Sequence, residues 1–408
     1  MITAIITCTP SEIDEDVHFI LSPALKTMNT VTIKKVVYGG WGLAYHEGKT
    51  IFIPYTAPGD QVEVSIVRKK KNCLFGRVER IIEPSPERRE PECPVFGTCG
   101  GCHFLHLSYE NEITIKKQTV MENLERIGKI KTAVSEFIPS RHRFGYRNHS
   151  VFKVNKEGRA GFAMRESAEI VPFPADGCLL LPPEMREAIA AIPRESFLPT
   201  REVRVRMDRF SSVHFWGLAD QVGPPDTLME SGGWLFPVSP GSFFQVNRYM
   251  NDELMSLVVS LPSKIRRKLL DIYCGVGFFT LPLSRIVMEG MGVELNRAAV
   301  RNAQAAARLN KVTNVQFKRG TIEREIQRIR DVDLVTADPP RTGIPKQVLS
   351  HIIRLRPKEL IMVSCEPPTF ARDAAVLIDA GYILSAINLI DLFPGTFHVE
   401  TVALFRRS

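Results

Sequence analysis

The last third of the chain, from about residue 265, alternates short apolar runs with segments of helical periodicity. Such strict alternation predicts an open, mostly parallel sheet with helices on both faces. The final two runs, residues 383–392 and 399–405, have no helix between them and predict an antiparallel hairpin at the sheet edge. The predicted parallel strands are residues 269–272, 291–294, 315–317, 334–337 and 361–364.

Three of these predicted strands end in side chains that carry chemistry. A turn with two glycines follows the first strand at residues 273–277, Asp338 and Arg341 follow another, and Cys365 follows a third. The carboxyl ends of the strands in an open α/β sheet border the crevice where such folds bind ligands. We therefore expect a cofactor turn, a carboxylate with an arginine, and a thiol to meet in one place.

The glycine turn and Glu294 together predict a nucleoside-containing cofactor. Glycine lets the backbone approach a ligand closely, and Glu294 lies 19 positions after Gly275, at the end of the next predicted strand. A carboxylate there can accept hydrogen bonds from ribose hydroxyls, whether the cofactor is NAD or S-adenosylmethionine (SAM). The missing third glycine of the dinucleotide motif and the terminal hairpin favour SAM. The predicted fold class is an α/β Rossmann-like SAM-dependent methyltransferase domain.

A cysteine beside a SAM site indicates methylation of a pyrimidine carbon. Carbon 5 of uracil is a poor nucleophile, but a thiolate added to carbon 6 makes an enolate whose carbon 5 can attack the SAM methyl group. A base must then remove the carbon-5 proton so that the thiol can leave. Donors that hold the uracil carbonyls and stabilise the enolate oxygen complete the requirements.

The amino-terminal part predicts a small basic β-barrel of OB-like type. Short alternating runs separated by Gly/Pro turns fill residues 28–84, and residues 1–27 form an extension. The formal net charge of the chain is +8, which favours a polyanionic partner. Tyr38, Trp41 and Tyr45 are predicted to be exposed for base stacking, so the barrel is expected to contact RNA. The alternative is a solvated lysine loop over aromatic residues of the core.

The eight cysteines predict a metal site rather than disulfides. The amino terminus has no signal-peptide pattern and no apolar run could cross a bilayer, so we expect a cytoplasmic protein with reduced thiols. Cys93, Cys99 and Cys102 form C-x5-C-x2-C, and Cys178 is the natural fourth ligand for a zinc ion or a cubane iron–sulfur cluster. Zinc ribbons usually carry two C-x2-C pairs, so the single pair here favours a cluster while zinc stays open.

These motifs together resemble the RNA uracil-5 (m5U) methyltransferases of ribosomal and transfer RNA, over nearly the whole chain. Residues 28–84 resemble the TRAM barrel that many of the ribosomal-RNA enzymes carry. The shared motifs are the spacing of the four cysteines, YRN at 146–148, F-x-Q-V-N at 243–247, the glycine turn at 271–277, DPPR at 338–341, SC-x-P at 364–367 and HVE at 398–400.

The resemblance implies a role for each matching residue. Cys365 is the implied nucleophile and Glu400 the base that removes the proton. Phe243 is the implied base-stacking residue, and Arg341 steadies the charge around the thiolate. The implied cofactor and uracil pocket consists of Gln245, Tyr273, Gly275, Glu294, Thr321 and Asp338. The implied ligands of a structural 4Fe-4S cluster are Cys93, Cys99, Cys102 and Cys178.

Two positions depart from the family pattern. Thr321 stands where Asn or Asp is commoner, and Glu366 stands where the family usually has Asn. A carboxylate next to the nucleophile raises the pKa of the thiol, which tempers the expected activity.

The resemblance implies methylation of carbon 5 of a uridine in 23S ribosomal RNA, because some transfer-RNA enzymes of the family lack the TRAM barrel. The alternatives are a transfer-RNA enzyme acting on the T-loop and a non-catalytic RNA-binding or chaperone protein. The expected partner is a structured RNA, without DNA or membrane, and the expected state is a monomer. The expected domains are the extension 1–27, the barrel 28–84, a central α+β domain 85–258 with the cluster, and the methyltransferase domain 259–408.

Overall fold

The computed structural model describes residues 25–407 except residues 71, 166, 198–201, 220–222 and 264–265. The predicted extension at residues 1–27 therefore lies almost entirely outside the described residues. Within them the strands form four sheets, of six, five, two and eight strands.

The six-stranded sheet curls into a barrel, because its two edge strands follow one another directly in the chain. Its strands are β1 (Leu25–Thr32), β2 (Lys35–Val37), β3 (Trp41–His46), β4 (Lys49–Pro54), β5 (Gln61–Lys69) and β6 (Cys73–Glu83). The strand order is β1-β5-β6-β4-β3-β2, and only Ile33 and Lys34 separate β1 from β2. The barrel expected at residues 28–84 thus begins at Leu25.

The aromatic residues of the barrel are less exposed than the sequence suggested. Tyr38 and Trp41 are buried, with exposed fractions of 5% and 7%, whereas Tyr45 is 44% exposed. Trp41 packs edge-on against Phe75 at 5.6 Å between ring centroids, in an apolar cluster with Leu43 and Phe52. The prediction of three exposed stacking residues is therefore wrong for Tyr38 and Trp41, since both serve the packing of the fold.

The middle of the chain forms an antiparallel sheet, a hairpin and three helices. The helices are α1 (Tyr109–Arg126), α2 (Pro183–Ala190) and α3 (Asn251–Ser260), with a 3-10 turn at Arg194–Ser196. The strands are β7 (Glu136–Ile138), β8 (His149–Val154), β9 (Ala160–Ala163), β10 (Ile170–Pro172), β11 (Glu202–Met207), β12 (Val213–Trp216), β13 (Thr227–Ser231) and β14 (Trp234–Val238). The five-stranded sheet has the order β10-β9-β8-β11-β12, and β13 pairs with β14.

The carboxy-terminal part is the predicted doubly wound sheet. Its strands are β15 (Arg266–Ile272), β16 (Val287–Glu294), β17 (Val315–Arg319), β18 (Leu334–Ala337), β19 (Glu359–Ser364), β20 (Tyr382–Ile390) and β21 (Glu400–Arg407). Its helices are α4 (Thr280–Leu283), α5 (Arg297–Leu309), α6 (Ile322–Glu325), α7 (Lys346–Leu355) and α8 (Pro367–Asp379), with 3-10 turns at Ser284–Ile286 and Ile326–Arg328. Two apolar cores cover its two faces.

The terminal hairpin does not lie at the edge of this sheet. The strand order is β17-β16-β15-β18-β19-β21-β20-β7, and β7 pairs in parallel with β20. Helix α1 contributes Val120 and Leu124 to the same core as α7 and α8. The prediction that the hairpin forms the edge is therefore wrong, because a segment from before residue 140 adds the last strand. None of the helices described is both long and apolar enough to cross a bilayer.

Candidate active site

The turn after β15 is shaped to take a ligand against its backbone. Tyr273, Gly275 and Gly277 have φ angles of 62°, 54° and 85°, a region that glycine tolerates and tyrosine rarely adopts. A Cβ atom at Gly275 would meet no atom within 4 Å, so the turn faces open space there. A Cβ atom at Gly277 would lie 3.0 Å from the ring of Phe317. Gly275 therefore gives access to a ligand, and Gly277 allows the turn to pack on β17.

Glu294, the last residue of β16, faces this turn. One carboxylate oxygen accepts a hydrogen bond from the backbone N–H of Gly275 at 3.2 Å, and the other accepts one from the N–H of Asn296 at 2.7 Å. Each oxygen keeps a free lone pair for a ligand hydroxyl. Thr321 lies at the same edge, because the N–H of the preceding Gly320 donates to the carbonyl of Glu294 at 3.0 Å.

The Cys365 thiol lies at the end of β19 among four charged side chains. It is partly buried, and burial raises its pKa well above the ordinary value for cysteine. The charges of Glu400, Asp338 and Glu366 raise this pKa further, whereas Arg341 lowers it. The structure thus brings together the thiol and the carboxylates that the sequence assigned to one crevice.

Glu400 lies close enough for its charge to act on the Cys365 thiol, although the two residues are on strands of opposite direction. β21 is antiparallel to β19, and Ser364 pairs with Thr401. Continuing this register by one residue places Glu400 opposite the position of Cys365. The separation of Cys365 and Glu400 in the sequence gave no hint of this proximity, which follows from the register of the two strands.

Asp338 and Glu400 are carboxylates in a low-dielectric position. Burial raises the pKa of Asp338 to about 7. Burial raises the pKa of Glu400 well above its ordinary value as well, with a further contribution from the charge of Asp338. Gln245, which is 4% exposed, donates from Nε2 to Asp338 at 3.3 Å. A glutamate whose pKa is raised binds a proton more tightly, as a catalytic base must.

Phe243 and Arg341 lie on the open side of this cluster. Phe243 is 61% exposed, and its ring meets the ring of His149 edge-on at 6.4 Å. Such a ring, two residues from the buried Gln245, is available for stacking on a base. Arg341 is exposed, and its Nη2 lies 3.1 Å from Nε2 of His398.

Sequence reasoning missed the residue that holds the Phe243 loop. Arg206, only 4% exposed, donates to the carbonyls of Val238 at 2.9 Å, Ser239 at 3.1 Å and Ser242 at 2.9 Å. The sequence signal for Arg206 was its place in the alternating strand β11, where the flanking Val205 and Met207 are buried. The guanidinium stabilises the loop immediately before Phe243.

The four predicted cluster cysteines line one cavity of about 80 Å³ together with Arg147. Burial raises the pKa of Cys102, and the other three thiols contribute in the same direction. Within the described part of the chain, no group of three or more side chains is arranged to hold a single metal ion. The free thiols of the described part of the chain are these four cysteines, Cys274 and Cys365. Cys73 is disulfide-bonded, so the prediction that all cysteines are reduced is wrong for this residue.

The sheet order, with β21 inserted antiparallel beside β19, and the glycine turn define a SAM-dependent methyltransferase fold with an amino-terminal TRAM domain. The crystal structure of Pyrococcus abyssi tRNA (uracil-54, C5)-methyltransferase with S-adenosyl-L-homocysteine has this fold, with a TM-score of 0.73, 24% identity, and coverage of 93% of this chain and 100% of that one. Residues 29–86 match the TRAM domain of tRNA (uracil(54)-C(5))-methyltransferase.

Residues 234–408 match the family tRNA (Uracil-5-)-methyltransferase. An uncharacterized RNA methyltransferase of Aquifex aeolicus is 34% identical over 92% of this chain and 97% of its own length. The 23S rRNA (uracil(1939)-C(5))-methyltransferase RlmD of Klebsiella pneumoniae is 31% identical over 93% of this chain and 95% of its own. The chain belongs to the family of tRNA and rRNA uracil-5-methyltransferases.

Proposed function

We propose that this protein methylates carbon 5 of a uridine in 23S ribosomal RNA through a covalent bond between Cys365 and carbon 6. The observation that carries the proposal is the meeting of Cys365, Asp338 and Glu400 at the edge of the sheet that holds the glycine turn. The supporting fold places a thiol, a base and a ligand-accepting turn in one crevice.

The residues of the site divide the reaction between them. The Cys365 thiolate adds to carbon 6, and Gln245 and Asp338 hold the uracil edge while the enolate forms. Bound SAM supplies the electrophilic methyl group. Glu400 then accepts the proton from carbon 5, and the carbon–sulfur bond breaks to release Cys365 as the thiolate. Arg341, the positive charge that acts on the thiol, favours the thiolate at the start and at the end.

The chain offers a fitting place for SAM. Free space at the Cβ position of Gly275 allows a ligand to approach the backbone. The carboxylate of Glu294 is already oriented by two backbone N–H groups and suits two ribose hydroxyls. Tyr273 and Thr321 flank this position. We assign all four residues to the cofactor.

We also propose that Cys93, Cys99, Cys102 and Cys178 hold a 4Fe-4S cluster. The four thiols surround one cavity without converging on one point. A cubane binds each cysteine through a different iron atom, whereas zinc needs all four at one ion. Arg147 is partly buried beside them, and its buried Nε atom lacks a partner among the described residues, so the guanidinium could compensate the negative charge of a cluster. Anaerobic analysis should find iron and sulfide, lost in Cys178→Ser; stoichiometric zinc would contradict this.

The 23S substrate is supported by the Klebsiella relative, whose name specifies uracil 1939 of that RNA. The second candidate is a transfer-RNA T-loop uridine, because both matching family descriptions name tRNA. The third, an RNA-binding protein without catalysis, would give no role to Glu400 and Asp338, the two carboxylates with raised pKa beside Cys365. We place all three candidates in the cytoplasm with an RNA partner.

One experiment separates these candidates. The purified protein and SAM are incubated with unmodified 23S rRNA or unmodified tRNA, and the digested nucleosides are analysed by mass spectrometry. We expect 5-methyluridine in the 23S rRNA and none with Cys365→Ala. Product in tRNA alone would replace the ribosomal substrate, and no product in either RNA would favour the non-catalytic reading.

A further inference from the structure

The loop between β2 and β3 carries the barrel into contact with the rest of the molecule. A Cβ atom at Gly40 would lie 3.2 Å from Cβ of His103 and 3.6 Å from Cβ of Phe397. Arg165 donates to the carbonyl of Gly39 at 2.5 Å. Its guanidinium also lies 4.3 Å from the centre of the Trp41 ring. The loop is therefore fixed from both the central and the methyltransferase parts of the chain.

Tyr38, at the start of this loop, reaches the residue after the nucleophile. Its hydroxyl donates a hydrogen bond to Oε1 of Glu366. Both side chains are buried, with exposed fractions of 5% and 8%. The Tyr38 ring also packs edge-on against Phe397 at 5.4 Å, and Phe397 stacks on His398, the neighbour of Arg341.

Four charged groups act on the Cys365 thiol from the elements packed around it. Asp338 and Arg341 follow β18, Glu400 begins β21, and Glu366 starts the turn into α8. Of these four, Glu366 accepts a hydrogen bond from the barrel. Its carboxylate is therefore a direct route by which the barrel can alter the surroundings of the thiol.

We propose that Tyr38 is a positioning residue for the nucleophile: its hydrogen bond holds the Glu366 carboxylate toward the barrel, so that the docked barrel sets the charge next to Cys365. The hydrogen bond draws the negative charge of Glu366 toward Oε1 and so weakens the effect of this carboxylate on the sulfur. The inference rests on the proposed function in one respect only, because the thiolate is the attacking form of Cys365.

The test measures the thiol itself. The full chain is alkylated with iodoacetamide between about pH 7 and 10, and mass spectrometry follows the tryptic peptide 359–372, in which Cys365 is the sole cysteine. We expect Glu366→Gln to raise the alkylation rate about tenfold, since removing a nearby like charge shifts a pKa by about one unit. We expect Tyr38→Phe to slow alkylation about threefold, because the Glu366 carboxylate loses the donor that draws its negative charge toward the barrel.

The decisive comparison is Tyr38→Phe in the Glu366→Gln background, where the slowing should vanish. Tyr45→Phe, at the exposed barrel tyrosine, is the matched control and should change nothing. The proposal is overturned if Tyr38→Phe slows alkylation equally in both backgrounds, or if it slows alkylation in neither. If the Tyr38→Phe variant does not fold, the Glu366→Gln variant is tested by itself, and an alkylation rate equal to that of the wild type would overturn the proposal. Failure of wild-type protein to form 5-methyluridine, with these rate changes intact, would refute the proposed function and not this inference.

Discussion

At the scale of single residues, the site depends on carboxylates held where water cannot stabilise their charge. Burial raises the pKa of Asp338 to about 7, and burial together with the charge of Asp338 raises that of Glu400. The same charges raise the pKa of Cys365, so the positive charge of Arg341 is needed to oppose them. The carboxylates therefore oppose ionisation of the thiol, and Arg341 favours it.

Replacing the proposed base should trap the enzyme on ordinary RNA. In Glu400→Gln the amide cannot accept the carbon-5 proton, so the bond between Cys365 and carbon 6 should persist and turnover should fall by about 100-fold or more. A denaturing gel with labelled RNA and SAM would show the covalent complex. Glu289→Gln, whose carboxylate is 65% exposed, is the control and should turn over normally. Normal turnover in Glu400→Gln would remove its assigned role.

At the scale of elements, parallel strands bring distant residues to one edge. β15, β16, β18 and β19 end there with the glycine turn, Glu294, Asp338 and Cys365. β21 begins there, because it is antiparallel to β19. The site is therefore built by strand direction. The loop after β18 adds Arg341, and the loop after β14, in the separate two-stranded sheet, adds Phe243.

The glycine turn should be sensitive to a single methyl group. In Gly275→Ala the residue would be strained at φ +54°, and its Cβ would enter the space assigned to SAM. We expect calorimetry to show SAM affinity weakened about tenfold or more. Gly48→Ala, in the β3–β4 turn with φ +74° and equally open surroundings, carries the same strain and should bind SAM normally. Unchanged affinity in Gly275→Ala would mean that the turn does not contact the cofactor.

The local sequence pattern predicts where the strands lie better than it predicts which distant segments pack against them. The apolar runs ending at Ile272, Ala337 and Ser364 became strands because buried parallel strands are continuously apolar. The three-residue β7 could not be foreseen, since its pairing with β20 joins residues 252 positions apart, as for Glu136 and Asn388 (388 − 136 = 252). Burial of Tyr38 escaped prediction for the same reason, because its partner Glu366 lies 328 residues away.

At the scale of the whole molecule, a buried ion cluster joins α1 to the loop that leads to β21. Nζ of Lys116 donates to Glu112 at 2.7 Å, to Asp391 at 2.9 Å and to the carbonyl of Phe393 at 3.1 Å. The same Glu112 accepts a hydrogen bond from the N–H of Gly395 at 2.7 Å. These contacts hold the segment before Glu400 against a helix from the first third of the chain.

Removing Lys116 from this cluster should destabilise the fold. Among the described residues, Lys116→Met would leave Asp391 without a cationic partner and Glu112 with Arg143 alone, at 3.4 Å. We expect the free energy of unfolding to fall by about 3–5 kcal/mol. Urea denaturation measures the loss. Lys117→Met, at the exposed neighbouring position, keeps the same composition change and should be nearly neutral. Equal stability of the two variants would contradict the importance of the buried cluster.

The central claim is a covalent bond between one sulfur atom and a pyrimidine. RNA that contains 5-fluorouridine lacks a removable proton at carbon 5, so the protein and SAM should form with it a complex that survives denaturation. We predict that mass spectrometry will find methylated 5-fluorouridine joined to Cys365 in the peptide 359–372, and no complex with Cys365→Ala. A complex that persists in Cys365→Ala, or its absence with an RNA that the protein methylates, would contradict the account.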